Sequence, residues 1–323
     1  MPKKPKIHPE HRFGHVAIAG RPNAGKSTLL NALLGTKLAI VSNKPQTTRS
    51  SIMGVATIPT SPGVPGGQIV FFDTPGIHRG DTLINRRMMQ SVRAAIEGKD
   101  LLLYVADATT LPDTAFIPEG EKEALDALRK AREENHVPTF LVLNKVDQIE
   151  DKRLLLPRLE AFAALLPFDE LFPISARKGE GVEALKKAIL ARLPIGEPRF
   201  EADYLTDMPE RNIVAEVIRE KILRLTNEEV PHSVAVMVEK WEEKPNVVHV
   251  MASIIVERPG QKPILIGAKG AMIKRIGTDA RRELEETLGH KFFLELFVKV
   301  KPKWRENESF LNELGWQNTN EVL

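Results

Sequence analysis

The sequence predicts an α/β, doubly wound first domain followed by a smaller α+β domain. Three observations carry this. Runs 16–19, 69–72, 101–106 and 139–143 are apolar almost throughout and alternate with helical stretches, the pattern of parallel strands buried on both faces. Short motifs rich in Gly, Asp, Asn, Lys and Ser follow the ends of these runs, where open α/β sheets bind their ligands. Beyond Pro194-Ile195-Gly196-Glu197-Pro198, which reads as a linker, the pattern changes to the order α-β-β-α-α-β.

The elements follow in chain order. After Val16-Ala17-Ile18-Ala19 comes Gly20-Arg21-Pro22-Asn23-Ala24-Gly25-Lys26-Ser27, and then a helix whose Leu29, Leu30, Leu33 and Leu34 share one face. An extended polar loop, Lys44-Pro45-Gln46-Thr47-Thr48-Arg49, leads to an alternating strand over 52–58. Stretch 59–68 holds three Pro and three Gly and reads as a turn or hairpin tip. The apolar strand 69–72 ends in Asp73-Thr74-Pro75-Gly76. A helix over 120–135 separates the next two strands, and Asn144-Lys145-Val146-Asp147 follows the second. Phe172-Pro173-Ile174 runs into Ser175-Ala176-Arg177, and helix 182–193 closes the domain. The remainder predicts a helix over 212–225, a strand over 232–241, a turn at Pro245-Asn246 and a strand over 247–256. Then come Ile264-Leu265-Ile266-Gly267-Ala268-Lys269-Gly270, a helix from about 278 to 288 and a strand over 293–300.

Composition narrows the class. With 323 residues, 42% hydrophobic and 28% charged, the chain has the make-up of a soluble protein with more than one core. It has no cysteine, which excludes disulfides, thiolate catalysis and cysteine-based zinc sites. No apolar run approaches the roughly 18 residues of a membrane span, and Lys3, Lys4 and Lys6 have no apolar segment behind them, so a short basic arm on a cytoplasmic protein is expected. The net charge of +3 is nearly neutral. Yet stretch 258–282 sets Arg258, Lys262, Lys269, Lys274, Arg275, Arg281 and Arg282 against Asp279 alone, the local footprint of a polyanion partner.

The spacing G-x-x-x-x-G-K-[ST] between a strand and a helix describes a phosphate-binding loop. Gly20 and Gly25 let backbone N–H groups curl around an anion, and the helix N-terminus adds its partial positive charge. Lys26 then reaches the terminal phosphates, and Ser27 ligates Mg²⁺. Asp73 is expected to hold the Mg²⁺ shell opposite Ser27, and Gly76 to offer a backbone N–H to the γ-phosphate. Asn144, Lys145 and Asp147 select the base: a carboxylate accepts two hydrogen bonds from the N1–H and amine edge of guanine, and adenine has no matching pair. Ser175 and Ala176 offer a backbone N–H to the base oxygen. Ile77 stands where Ras-like enzymes use a Gln to orient water, so hydrolysis is expected to be slow or to rely on another group.

Together these motifs resemble the Era family of GTPases, within the TrmE-Era-EngA-like branch of translation-factor GTPases, over about 13–305. Ala24 stands where Val is usual, and the tip at 59–68 is longer than expected. The resemblance implies a P-loop GTPase domain over 13–193, preceded by the arm 1–12 and followed by a linker 194–211. It further implies a type II KH domain over 212–305 and a tail 306–323. Phosphate contacts are implied for Gly20, Asn23, Ala24, Gly25, Lys26, Ser27, Thr28 and Gly76. Mg²⁺ is implied for Ser27, Asp73 and the switch threonine, assigned as Thr48 with Thr47 as the alternative, with GTP or GDP bound and K⁺ at Asn23. In the KH part, G-x-x-G at Gly267 to Gly270 lets helix N-termini approach a sugar-phosphate backbone. Ile266, Ala268, Lys269, Ile273, Lys274 and Arg275 contribute to RNA binding there, and Ile264, Leu265, Ile266 and Ile273 are expected as an apolar floor for unstacked bases. Gly63-Val64-Pro65-Gly66 supplies a second G-x-x-G with no such role. The expected partner is single-stranded RNA near the 3′ end of small-subunit ribosomal RNA. The expected role is in small ribosomal subunit assembly, as a monomer, with peripheral membrane association among relatives. The rival readings are an RNA-binding structural factor that GTP merely stabilises, and a membrane-surface regulatory GTPase.

Overall fold

The structure is a computed structural model that describes residues 11–44, 46–61, 65–77, 82–110, 117–135, 137–227, 230–231 and 233–316. Most of the expected arm, the centre of the 59–68 tip with Gly63 and Val64, and the end of the tail lie outside the described residues. The chain forms two compact units. The first comprises Met1–Ala39, Thr48–Arg79 and Met89–Asp207; the second comprises Ile40–Thr47, Gly80–Met88 and Met208–Leu323.

In the first unit the strands are β1 (Arg12–Ala19), β2 (Ile52–Ile58), β3 (Gly67–Asp73), β4 (Leu101–Asp107), β5 (Thr139–Asn144) and β6 (Glu170–Pro173). The helices are α1 (Lys26–Leu34), α2 (Leu83–Ile96, from Met89 onward in this unit), α3 (Glu119–Asn135), α4 (Leu155–Ala163) and α5 (Val182–Arg192). The sheet order is β2-β3-β1-β4-β5-β6. All neighbours are parallel except β2 and β3, which pair antiparallel from Ile52 opposite Asp73 to Ile58 opposite Gly67. The connection between them is a short hairpin, too short for the crossover a parallel pair needs. Alternation along each strand sends side chains to both faces. Ala17, Ala19, Leu102, Tyr104, Leu141 and Leu143 pack with Val92 and Ile96 of α2, Leu125 and Leu128 of α3, and Phe162 of α4. The opposite face meets α1 and α5, where Leu29, Leu30, Leu33, Leu185 and Ile189 are buried. A parallel sheet clad on both sides leaves only the strand ends open to a ligand. Part of the stretch expected as a linker packs here too: Phe200 stacks on Tyr204 with ring centroids 4.8 Å apart, both lie against Phe13, Val55 and Val70, and Val55 N–H donates to the Leu205 carbonyl at 2.8 Å.

The second unit contains α6 (Glu210–Leu225), β7 (Ala235–Lys244), β8 (Val247–Val256), α7 (Gln261–Ile266), α8 (Ala271–Leu288), β9 (Phe292–Val300) and α9 (Glu308–Glu313). β7 and β8 form an antiparallel hairpin across Pro245-Asn246, and β9 joins β8 in parallel. One face of this sheet, with Val248, Val250, Ala252 and Ile254 of β8, packs on Val214, Val217, Ile218 and Ile222 of α6 and on Ile276, Ala280 and Leu284 of α8. On the other face Ala235 and Ile255 meet Ile84, Met88, Trp304, Phe310 and Leu311. α8 begins seven residues earlier than the expected start near 278. Its apolar face runs on through Met272 and Ile276, and Gly277 lies inside the helix with a neighbour at ordinary contact distance. The true start is set by Gly270, whose left-handed φ of 79° ends the preceding turn.

Candidate nucleotide site and nucleic-acid loop

The phosphate loop joins β1 to α1 and is fixed from several sides. Gly20 has φ 144°, and a Cβ there would fall on the Val105 carbonyl oxygen of β4, so the position admits glycine alone. Gly76 approaches the loop from the end of β3: a Cβ would lie 2.5 Å from the Pro22 nitrogen, and the following Ile77 N–H donates to Gly20 O at 3.0 Å. Asn23, exposed, adopts φ 64° at the crest of the loop. Lys26, the first residue of α1, is buried and donates from Nζ to the Gly20 and Arg21 carbonyls at 3.1 and 2.9 Å.

Three oxygens converge beside it. Ser27 Oγ donates to Asp73 Oδ2 at 2.6 Å, lies 2.8 Å from Thr48 Oγ1, and Thr48 Oγ1 reaches the same Asp73 oxygen at 3.5 Å. Thr47 is placed otherwise, its hydroxyl donating to the Lys44 carbonyl at 2.7 Å. Asp73 is fully buried, and its Oδ1 has no hydrogen-bond partner among the described residues. Burial pushes its carboxyl up to about 6, against the pull of Lys26, Ser27 and Thr48. Burial likewise lowers the Lys26 ammonium to about 8, against Asp73 and Glu121. A hard divalent cation on the carboxylate and an anionic phosphate at the ammonium would offset both desolvation costs. The donor set of two hydroxyls and one carboxylate, with an orphaned carboxylate oxygen, therefore fits Mg²⁺.

The base-side motif is braced by its own residues. Asn144, buried at the end of β5, donates from Nδ2 to Ala24 O at 2.9 Å and accepts at Oδ1 from Ala176 N–H at 3.0 Å. It ties the phosphate loop to the turn after β6. Ser175 N–H donates to Glu180 O at 3.0 Å. The Ser175 and Ala176 N–H groups both have partners within the protein in this turn. Lys145 adopts φ 66° and its Nζ lies 2.6 Å from Asp107 Oδ2. Asp147, half-buried, sits in the single turn after it.

Sequence reasoning missed Asp107 and Glu121. Asp107 closes β4 and also accepts from the Thr109 N–H and hydroxyl at 2.9 and 2.7 Å; its position at a strand end, like that of Asp73, was the available signal. Glu121 is buried, accepts from the Tyr104 hydroxyl at 2.5 Å and faces Arg21 of the phosphate loop at 3.6 Å. Burial pushes its carboxyl upward, and nothing local in the sequence marks it. Ile77 is buried with Val92 and Ile96 in the core, so its side chain does not reach toward a water at the phosphates.

In the second unit the G-x-x-G turn links α7 to α8. Gly267 has φ 72°, and a Cβ there would lie 2.7 Å from that of Met272. Gly270 is left-handed in open space, and Lys269 between them adopts φ 50°. Ala268, Lys269, Lys274 and Arg275 are exposed, while Ile266 and Ile273 are half-buried. Arg275 lies 3.9 Å from Asp279 one turn on. Leu265 corrects the expected apolar floor: it is fully buried in the core beneath α8, and Ile264 is the exposed member of that run.

A phosphate loop on a doubly wound sheet, with an Asn-Lys-x-Asp motif at a strand end, followed by an α-β-β-α-α-β unit carrying G-x-x-G, defines a P-loop GTPase joined to a KH domain. The model of a family described as "50S ribosome-binding GTPase" matches residues 15–145, and that of the KH domain matches residues 229–305. The chain is 48% identical over 309 residues to the GTPase Era of Geotalea uraniireducens, covering 95% of this chain and 99% of that protein. It is 43% identical to the GTPase Era of Leuconostoc citreum, covering 96% and 98%. Among solved structures it is similar to a point variant of Aquifex aeolicus Era bound to GDP·AlF₄⁻, with TM-score 0.87 and 39% identity over 95% of this chain and all of that one. An Era structure in complex with MgGDPNP and nucleotides 1506–1542 of 16S ribosomal RNA matches equally, with TM-score 0.87 and 39% identity. The chain belongs to the GTPase Era family and is a GTPase. Among the described residues no helix is long and apolar enough to cross a membrane.

Proposed function

We propose that the chain is a GTP-hydrolysing switch whose nucleotide state controls binding of single-stranded ribosomal RNA near the 3′ end of the small-subunit RNA, and that it acts in assembly of the small ribosomal subunit. The observation that carries this reading is the pairing, in one chain, of the Ser27, Thr48 and Asp73 oxygen cluster with an exposed, basic G-x-x-G turn at the head of α8. Its support from relatives is the Era complex with MgGDPNP and a 16S ribosomal RNA segment.

In this reading Ser27, Thr48 and Asp73 would hold Mg²⁺, which would supply positive charge beside the phosphates. Lys26 leaves the Gly20 and Arg21 carbonyls for the phosphate oxygens, and the Gly76 N–H turns to the γ-phosphate. Asp147 accepts from the guanine edge, while Asn144 keeps the phosphate loop and the 175–180 turn in register. Because Ile77 is committed to the core, placement of the attacking water falls to another group. K⁺ held at Asn23 would supply the missing positive charge. In the second unit Lys269, Lys274 and Arg275 meet the RNA backbone, and Ile266 and Ile273 lie under unstacked bases. Gradient sedimentation of cell extract tests the assembly role: the protein is expected to travel with free small subunits, and migration at the top of the gradient under all nucleotide conditions would contradict it.

A further inference from the structure

The middle of α6 is enclosed on every side. Residues from Val217 to Leu223 are all buried, including three consecutive charged ones, Arg219 at 1%, Glu220 at 0% and Lys221 at 7% exposure. An apolar face toward the core accounts for Val217, Ile218 and Ile222, but not for the charges. Buried ion pairs stabilise a fold poorly compared with apolar side chains of the same volume, and where they persist their best-attested use is to fix one arrangement among several.

Their partners show what is being fixed. Glu220 Oε1 accepts from the Val41 N–H at 2.8 Å, and Arg224 donates from Nη2 to the Val41 carbonyl at 3.3 Å and to Glu220 at 2.9 Å. Ile40 is buried in the α6 core cluster, and Lys44 Nζ donates to Asn227 Oδ1 at 2.9 Å. At the other end of the same segment Arg219 donates from Nη2 to the Thr47 carbonyl, its guanidinium oriented by Glu216 at 2.5 Å. Arg219 Nη1, also buried, has no hydrogen-bond partner among the described residues. Helix α6 therefore grips the backbone of segment Ile40–Thr47 near its first residue and at its last, and that segment belongs wholly to the second unit. The next residue in the chain is Thr48, which belongs to the first unit and shares the Asp73 oxygen with Ser27. On its far side α6 continues to α8, for Lys221 pairs with both Glu220 and Glu283. α8 is the helix that starts at the G-x-x-G turn and carries Ile273, Lys274 and Arg275.

We propose that Arg219 and Glu220 are positioning residues for Thr48. By holding both ends of segment 40–47, they make the seating of Thr48 at the metal cluster and the seating of α6 one equilibrium, and Lys221 with Glu283 passes that equilibrium to the RNA-facing helix. This rests on the reading of Thr48 as the Mg²⁺ threonine. The GTP state recruits the Thr48 oxygen and the GDP state does not require it, so the clamp acts on the difference between the two nucleotides. Linkage then requires RNA to favour the GTP form by the same factor as GTP favours RNA.

The test is a set of equilibrium titrations with fluorescent GDPNP and GDP in Mg²⁺, on the full chain and on Arg219→Met, Arg219→Lys, Thr48→Ala and the Arg219→Met/Thr48→Ala pair. Thr48→Ala is expected to lower the preference for GDPNP over GDP by about tenfold, within the range of coupled sites. Arg219→Met should lower it by a similar factor, Arg219→Lys, which keeps one donor, by less, and the pair by no more than either alone, because both act through one oxygen. GDP affinity should stay constant throughout. Adding a single-stranded RNA oligonucleotide should tighten GDPNP in the parent chain and no longer do so in Arg219→Met. If Arg219→Met does not fold, Arg219→Lys carries the comparison. A preference unchanged by both Arg219 variants while Thr48→Ala lowers it, or a strictly additive pair, would overturn the clamp. An unchanged preference in Thr48→Ala would instead overturn the Mg²⁺ reading, and the clamp with it.

Discussion

Both units place a glycine-bounded turn at the N-terminus of a helix, and the two turns are built on different principles. In the phosphate loop, space and dihedral angle coincide: Gly20 has a φ of 144° and the Val105 carbonyl where a side chain would go, and the loop is further held by Gly76, Asn144 and the Arg21 to Glu121 contact. In the G-x-x-G turn, Gly267 is crowded by Met272, but Gly270 meets nothing and Lys269 stands exposed in a strained conformation. The first turn is a rigid cradle whose ligand must match it. The second is an open surface, where charge and backbone exposure matter more than shape.

Four substitutions, with a fifth at Val64 as control, sharpen or break that contrast. Gly20→Ala should be the most damaging. It combines a strained dihedral of about 1–3 kcal/mol with a clash against backbone that cannot yield, so GTP affinity in calorimetry should fall by more than roughly a hundredfold, since each 1.4 kcal/mol is a factor of about ten. Asn144→Ala comes next. It strips the Ala24 carbonyl and the Ala176 N–H of one buried partner each, at about 1–3 kcal/mol apiece, which should appear together as a lower melting temperature and weaker nucleotide binding. Lys269→Asp should leave folding and GTP affinity intact. It should weaken single-stranded RNA at least tenfold, since a charge-assisted contact contributes about 1.5–3 kcal/mol and repulsion adds to its loss; an acidic substitution at Val64, in the other G-x-x-G, should leave RNA binding unchanged. Gly270→Ala should do least, because its cost is confined to a left-handed alanine of about 1–2 kcal/mol with no clash. RNA affinity should change only a few-fold. Equal damage from Gly20→Ala and Gly270→Ala would erase the distinction between cradle and open surface.

The cradle was legible in the sequence because its parts are short contiguous motifs, and spacing alone places Lys26, Ser27, Asp73 and Asp147 at strand ends. What escaped were the braces between motifs. Lys145 meets Asp107 across 38 positions, and Tyr104 finds Glu121 across 17; no local pattern announces such pairs. Glu220 and Val41 are 179 positions apart, so the burial of the Arg-Glu-Lys triplet at 219–221 depends on a segment far away in the chain. Within a single apolar run, composition also could not separate inward Leu265 from outward Ile264, because the distinction depends on where α8 lies. The early start of α8 is held by tertiary packing: the cost of about 1 kcal/mol for Gly277 inside the helix is outweighed by the apolar face of Met272 and Ile276 against the core.

The claim that the nucleotide in one unit governs the RNA surface of the other is tested most directly by measuring the affinity of one single-stranded RNA oligonucleotide, from the 3′ end of 16S ribosomal RNA, for the protein saturated with MgGDPNP and with MgGDP at constant salt. The account predicts tighter binding to the GDPNP form by a factor of roughly 5–150, the span of typical coupling energies. Equal affinities in the two nucleotide states would contradict it.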